Sequence, residues 1–214
     1  MKTLIAVPCM DQVPARFAQS LAMLRKVGDC AVSFQIGSLV YNSRNELAKR
    51  AIQMDADYVL WLDSDMVFDP DLLERMFARM ESDNLDFLTG LCFRRTPPFS
   101  PAIFDKLEYK KGVVLWTDYH GKVLPNEPFE VGGCGFAAVL IKTDVIMSVQ
   151  AKHQAMFTPM QNTGEDLSFC LRARDCGSRI VCDPTIELGH IGYNIVTREF
   201  YTMFTATANK EVLK

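Results

Sequence analysis

The chain has 214 residues, 49% of them apolar, with 23 basic and 26 acidic side chains and a net charge of -3. This is enough apolar material for one domain with a buried core, and the scattered charges form no basic stripe, which argues against bulk nucleic-acid binding. No stretch approaches the roughly 20 apolar residues of a membrane span, and the apolar run after Lys2 stops at Pro8, too short for a secretory signal, so a cytoplasmic protein is expected.

In chain order, "TLIAV" (3–7) reads as a buried strand, and Phe17, Leu21 and Leu24 recur at helical spacing before a second strand, "AVSFQI" (31–36). After Gly37, "YNSRNELAKRAIQM" predicts a helix capped by Asn42 or Ser43, with Glu46 closing a capping box and Leu47, Ala48, Ala51 and Ile52 on one face. "YVLWL" (58–62) is a third strand that ends at Asp63. The next helix, "DPDLLERMFARM", has Pro70 near its start and an apolar face of Leu72, Leu73, Met76, Phe77 and Met80, and "DFLTGL" (86–91) is a fourth strand. Strand and helix alternation predicts a Rossmann-like α/β fold, a mostly parallel sheet flanked by helices, with ligands bound beyond the carboxyl ends of the strands.

From Phe93 the character changes. "RRTPPFSP" is a turn-rich loop and a candidate lid, and "VVLWT" belongs to a small antiparallel element. "GFAAVLI" (135–141) is a further strand, Thr143 caps a short helix, and "EDLSFCLRARDCG" is helical with Gly177 as its stop. Val196, Phe200, Phe204 and Ala208, four apart, predict a C-terminal helix packed on its own domain, with weak peripheral membrane contact as the lesser alternative. The expected organisation is a single domain, 1–214, with a nucleotide-binding half (1–92), an acceptor-side half (93–194) and a helical tail (195–214). Seven cysteines without a CxxC pair read as reduced thiols, and Cys170, Cys176, Cys182 and His190 fit no usual zinc spacing.

The sheet rule sets Pro8, Gly37 and the pair Asp63 and Asp65 on one rim. Two like charges so close call for a cation nearby, and hard carboxylate oxygens suit Mg²⁺ or Mn²⁺ shared with phosphates. The blander alternative is a pair that only solvates the following turn.

Five segments in order, "AVPCM", "NSRNELAKRA", "VLWLDSDMVFDPDLL", "VGGCGFAAVLIKTDV" and "GEDLSFCLRARDCGSRI", resemble the nucleotide-sugar glycosyltransferases of GT-A type fold, above all the large inverting family 2. The resemblance covers most of the chain and implies a metal-dependent transfer from a nucleotide-sugar donor to an acceptor it does not identify. It implies that Asp65 holds Mn²⁺ or Mg²⁺ and that Asp63 contacts the ribose or the metal's shell. Ser64 lies between them, and His190 is a further metal ligand. It assigns Pro8, Cys9 and Arg44 to the nucleotide pocket, Gly132, Gly133 and Gly135 to the acceptor side, Asp166 to the catalytic base and Glu165 to the acceptor hydroxyls. Many members have an acidic residue that reads uracil where this chain has Gln35 and Ser38; a UDP-sugar is the first expectation and a GDP-sugar the second.

Three rivals and one variant of this reading stand beside it. "DSDMV" also resembles the first motif of haloacid-dehalogenase phosphatases, but two strand and helix units precede it here. A nucleotidyltransferase would want a Gly-rich basic loop after the first strand. A non-catalytic nucleotide-sugar binder would share the pocket, and a late histidine ligand also occurs in retaining members of the fold.

Overall fold

The computed structural model describes residues 1–192 and 195–212, the side chains of 207–212 excepted. The elements are β1 (Lys2–Cys9), α1 (Ala15–Met23), β2 (Asp29–Ile36), α2 (Val40–Gln53), β3 (Tyr58–Leu62), β4 (Met66–Val67), α3 (Leu72–Ser82) and β5 (Phe87–Leu91). Then come β6 (Ile103–Lys110), β7 (Val113–Asp118), β8 (Phe129–Glu130), β9 (Gly133–Cys134), β10 (Ala138–Lys142), α4 (Thr143–His153), α5 (Glu165–Asp175), β11 (Val181–Glu187), β12 (Gly189–Ile191), β13 (Ile195–Val196) and α6 (Arg198–Val212).

The central sheet has seven strands in the order β2-β1-β3-β10-β5-β11-β8. β1 runs parallel to β2 and β3, and β11 parallel to β5, whereas β10 is antiparallel to both β3 and β5, and β8 antiparallel to β11. Continuous apolar runs such as "LIAV" and "AVLI" are what a strand covered on both faces requires, and both are fully buried. One face packs on α2, α4 and α5 through Leu47, Ala51, Ile146, Val149 and Phe169, around a cluster in which Trp61, Phe136 and Phe157 meet edge-on and Phe157 stacks on Phe169. The other face packs on α1 and α3 through Phe17, Leu72, Leu73, Met76 and Met80.

Two small sheets flank this core. β7 and β9 pair with β6, a strand the sequence pattern did not single out, and β4 and β13 pair with β12. The capping box predicted on Ser43 does not form. Leu39 is extended and its carbonyl accepts the N–H groups of Asn42 and Ser43, so α2 starts at Val40 and Ser43 lies buried within it. Gly177 does stop α5, at φ +95°, where a side chain is disfavoured. The tail is a two-residue strand followed by α6, with Tyr201 buried; the Ala208 side chain, Leu213 and Lys214 lie outside what is described.

Candidate active site

At the carboxyl ends of β1, β2 and β3 the rim opens into a cleft of about 430 Å³, the crevice expected of such a sheet. Pro8, Cys9, Arg44, Asp63, Ser64, Asp65, Gly135, Glu165, Asp166 and His190 all line it. Gly132 and Gly133 do not. A Cβ at Gly132 would sit 2.9 Å from the backbone of β6, and one at Gly133 would press on Leu107 and Leu167. These two glycines let the chain at β9 lie close against β6 and α5.

The two aspartates are held by different cations. Arg44 is buried, 2% exposed, and its Nη2 donates to Asp63 Oδ1 at 2.7 Å while its Nε donates to Glu165 Oε1 at 3.2 Å. Its guanidinium lies 5.0 Å from the centroid of the Phe136 ring, a cation–π contact. Burial works against the Arg44 charge, but the carboxylates of Asp63 and Glu165 outweigh it and raise its pKa. Burial raises the Asp63 pKa despite the ion pair with Arg44. Asp63 is therefore turned to Arg44, and Arg44, expected in the nucleotide pocket, also ties the end of β3 to the start of α5.

Asp65 faces the opposite way. Its Oδ2 accepts from Arg95 Nη1 at 2.9 Å and lies 3.2 Å from His190 Nε2. The other ring nitrogen, Nδ1, is 2.7 Å from the Phe93 carbonyl oxygen, which can only accept, so Nδ1 carries a proton. A neutral His190 then presents its Nε2 lone pair to a carboxylate, two acceptors face to face, and a proton or a metal ion is needed between them. Burial opposes the His190 charge, but Asp65 and the Phe93 carbonyl outweigh it and raise the pKa. For Asp65 burial is likewise outweighed, by His190 and then Arg95, and the pKa falls. Among the described residues no group of three or more His, Cys, Asp or Glu side chains could hold a metal. The pair fits an ion that takes its remaining ligands from water and phosphate, the habit of Mg²⁺, and Asp63 lines the same cleft with one carboxylate oxygen bound to Arg44.

Asp166 opens α5. Its Oδ1 accepts from the Leu167 N–H at 2.7 Å, and a Cβ at Gly164 would meet the same oxygen at 2.9 Å, so the glycine of "GED" leaves room for the carboxylate. Burial, then the neighbouring Glu165, pushes its pKa up to about 6, against the pull of the Leu167 N–H and Arg44.

The sequence reading missed Arg95. The only signal is "RR" directly after the fourth strand, on the rim that holds the aspartates. Ser38 lines the cleft where the base-reading residue was expected, whereas Gln35 turns to Arg50, 3.4 Å away.

Comparison with known proteins bears on the fold and the family. Among curated proteins none matches in sequence. Among solved structures, A197 from STIV superposes with a TM-score of 0.61 at 19% identity, over 90% of this chain and 86% of that one. GalNAc-T7, solved with UDP, GalNAc and Mn²⁺, superposes with a TM-score of 0.60 at 9% identity over 89% of this chain, which spans 44% of that protein. Both likenesses show a shared GT-A type fold. The profile described as "Glycosyl transferase family 2" matches residues 38–146, just over half of the chain, from the mouth of the cleft through β10: the protein belongs to glycosyl transferase family 2 and is a glycosyltransferase.

Proposed function

We propose that this glycosyltransferase moves a sugar from a nucleoside-diphosphate donor, a UDP-sugar first and a GDP-sugar second, to a hydroxyl acceptor with inversion at the anomeric carbon. The observation that carries this reading is that one cleft holds both the Asp65 and His190 pair and the half-buried Asp166 carboxylate. Pro8, Cys9 and Ser38 line the nucleotide side. Asp65 and His190 hold Mn²⁺ or Mg²⁺, an ion that, when bound, neutralises charge developing on the leaving diphosphate. Asp166 takes the acceptor hydroxyl's proton as the new bond forms. Glu165 gives one carboxylate oxygen to Arg44 and keeps the other for an acceptor hydroxyl.

The pairing of His190 with Asp65 favours a second reading, retention, since a late histidine ligand also occurs in retaining members of the fold. NMR of the product separates the two: a configuration opposite to the donor's supports inversion, and the same configuration overturns it. The broader test is a panel of nucleotide sugars assayed for hydrolysis, followed by calorimetry of the preferred nucleotide. Asp65→Asn should lose at least tenfold in affinity in Mn²⁺ and little in EDTA. Equal affinities of the two proteins in Mn²⁺ would overturn the metal assignment.

A further inference from the structure

β2 is an edge of the central sheet, eight residues long, and among the described residues no strand pairs with its outer side. Natural proteins guard such edges with lysines, prolines, bulges or short strands. β2 has none of these, and its one charged residue is Asp29 at the first position. Its side chains instead present an apolar row, with Val32 38%, Phe34 41% and Ile36 65% exposed. Arg50 from α2 reaches Ser33 on the opposite face, so the row lies on the side that the short α1 leaves uncovered.

The backbone can be read in the same way. The N–H of Asp29, the first residue of β2, donates to the Met1 carbonyl just before β1, and that of Gly37, just after β2, donates to the Cys9 carbonyl at the end of β1. Backbone groups alternate sides along a strand, so the odd-numbered residues face β1 and Cys30, Val32, Phe34 and Ile36 turn their N–H and C=O groups outward. Among the described residues the Ile36 carbonyl accepts from the Gln35 side-chain amide alone, at 3.4 Å. A second copy of the same strand, run antiparallel about a two-fold axis through Ser33, sets Val32 opposite Phe34 and Cys30 opposite Ile36. Each such pair exchanges both backbone bonds, and each buries apolar against apolar. Asp29 comes opposite Gly37, which has no side chain to clash with it or to strand its charge. An edge that complements itself in hydrogen bonding, apolarity and charge is what an isologous interface requires.

From this self-complementary edge we infer that the protein forms a two-fold dimer through β2, joining two central sheets into one continuous sheet. Because the strands run antiparallel, the two clefts open at opposite ends of the joined sheet and work independently. The inference does not depend on the donor or the metal.

Sedimentation velocity tests it. The wild type should run at twice its 24.1 kDa chain mass, and Phe34→Lys, or Val32→Lys should the first fail to fold by circular dichroism, should run as a monomer. Register is tested by Ile36→Cys, which faces the native Cys30 of the second copy at the ~5.5 Å Cα spacing of a bonded pair, within disulfide reach. Mild oxidation should cross-link it, and not the same variant carrying Cys30→Ala. A monomeric wild type into the millimolar range, a dimer that survives the lysine, or a failure of Ile36→Cys to cross-link would each overturn the proposal.

Discussion

Burial and Glu165 push the Asp166 pKa up while the Leu167 N–H and Arg44 pull it down, and the balance sets the pH at which it serves as a base. The helix start at Glu165 and its dipole suggest a carboxylate held well ionised, yet burial and Glu165 win and the pKa stands at about 6. A base of that strength is ionised at neutral pH and still accepts a proton readily. The free enzyme's kcat/KM should fall on the acid side with a midpoint about 6. Asp166→Asn should lower turnover roughly a hundredfold while leaving nucleotide affinity unchanged. Stability supplies a second readout. With a pKa raised above the ordinary carboxylate value near 4, the folded protein takes up protons between about pH 4 and 6, and the Asp166 contribution to stability is lost as pH rises through that window. The asparagine variant should thus melt higher than the wild type at pH 8 and gain less at pH 4, a comparison made by calorimetry. Arg44 carries a lesson of the same kind. Its place at the mouth was readable from "NSRNELAKRA", but the buried bridge to Asp63 and Glu165 joins residues 121 positions apart, a contact local pattern cannot reveal.

At the scale of elements, the strands and helices of the first ninety residues were legible because apolar period and turn chemistry agree there. β6 was not, because "IFDKLEYK" is half polar and takes its identity from pairing with β7 and β9. The loop 93–102 was legible only as turn-rich, and its anchoring was not. Phe93 stacks on Tyr201, ring centroids 5.0 Å apart, and Phe99 meets Phe200 and Phe204 edge-on, so α6 grips the loop that carries Arg95 to Asp65. Tyr201→Ala removes the stacked partner, a truncation that costs several kcal/mol for buried aromatics. Trypsin should then cut after Arg94 or Arg95 several-fold faster than in the wild type, with the far-UV spectrum unchanged. Equal cleavage rates would show that the loop holds itself.

For the whole molecule, the telling feature is β10. The division at residue 92 suggests a nucleotide-binding half, yet β3 and β5 of that half do not pair with each other. The strand between them, Ala138–Lys142, comes from the other half and pairs with both. A fragment 1–92 should therefore show no cooperative melting and no nucleotide binding alone, and should regain both when mixed with 93–214, as followed by circular dichroism and calorimetry. The same placement bears on how the chain is made. On a ribosome the sheet emerges with a gap at its centre, and four of its seven strands, β2, β1, β3 and β5, wait while some fifty further residues are added before β10 can slot between β3 and β5. Synthesis at roughly 5–20 residues per second leaves those inner edges open for seconds, long enough for a holding chaperone to bind the nascent protein.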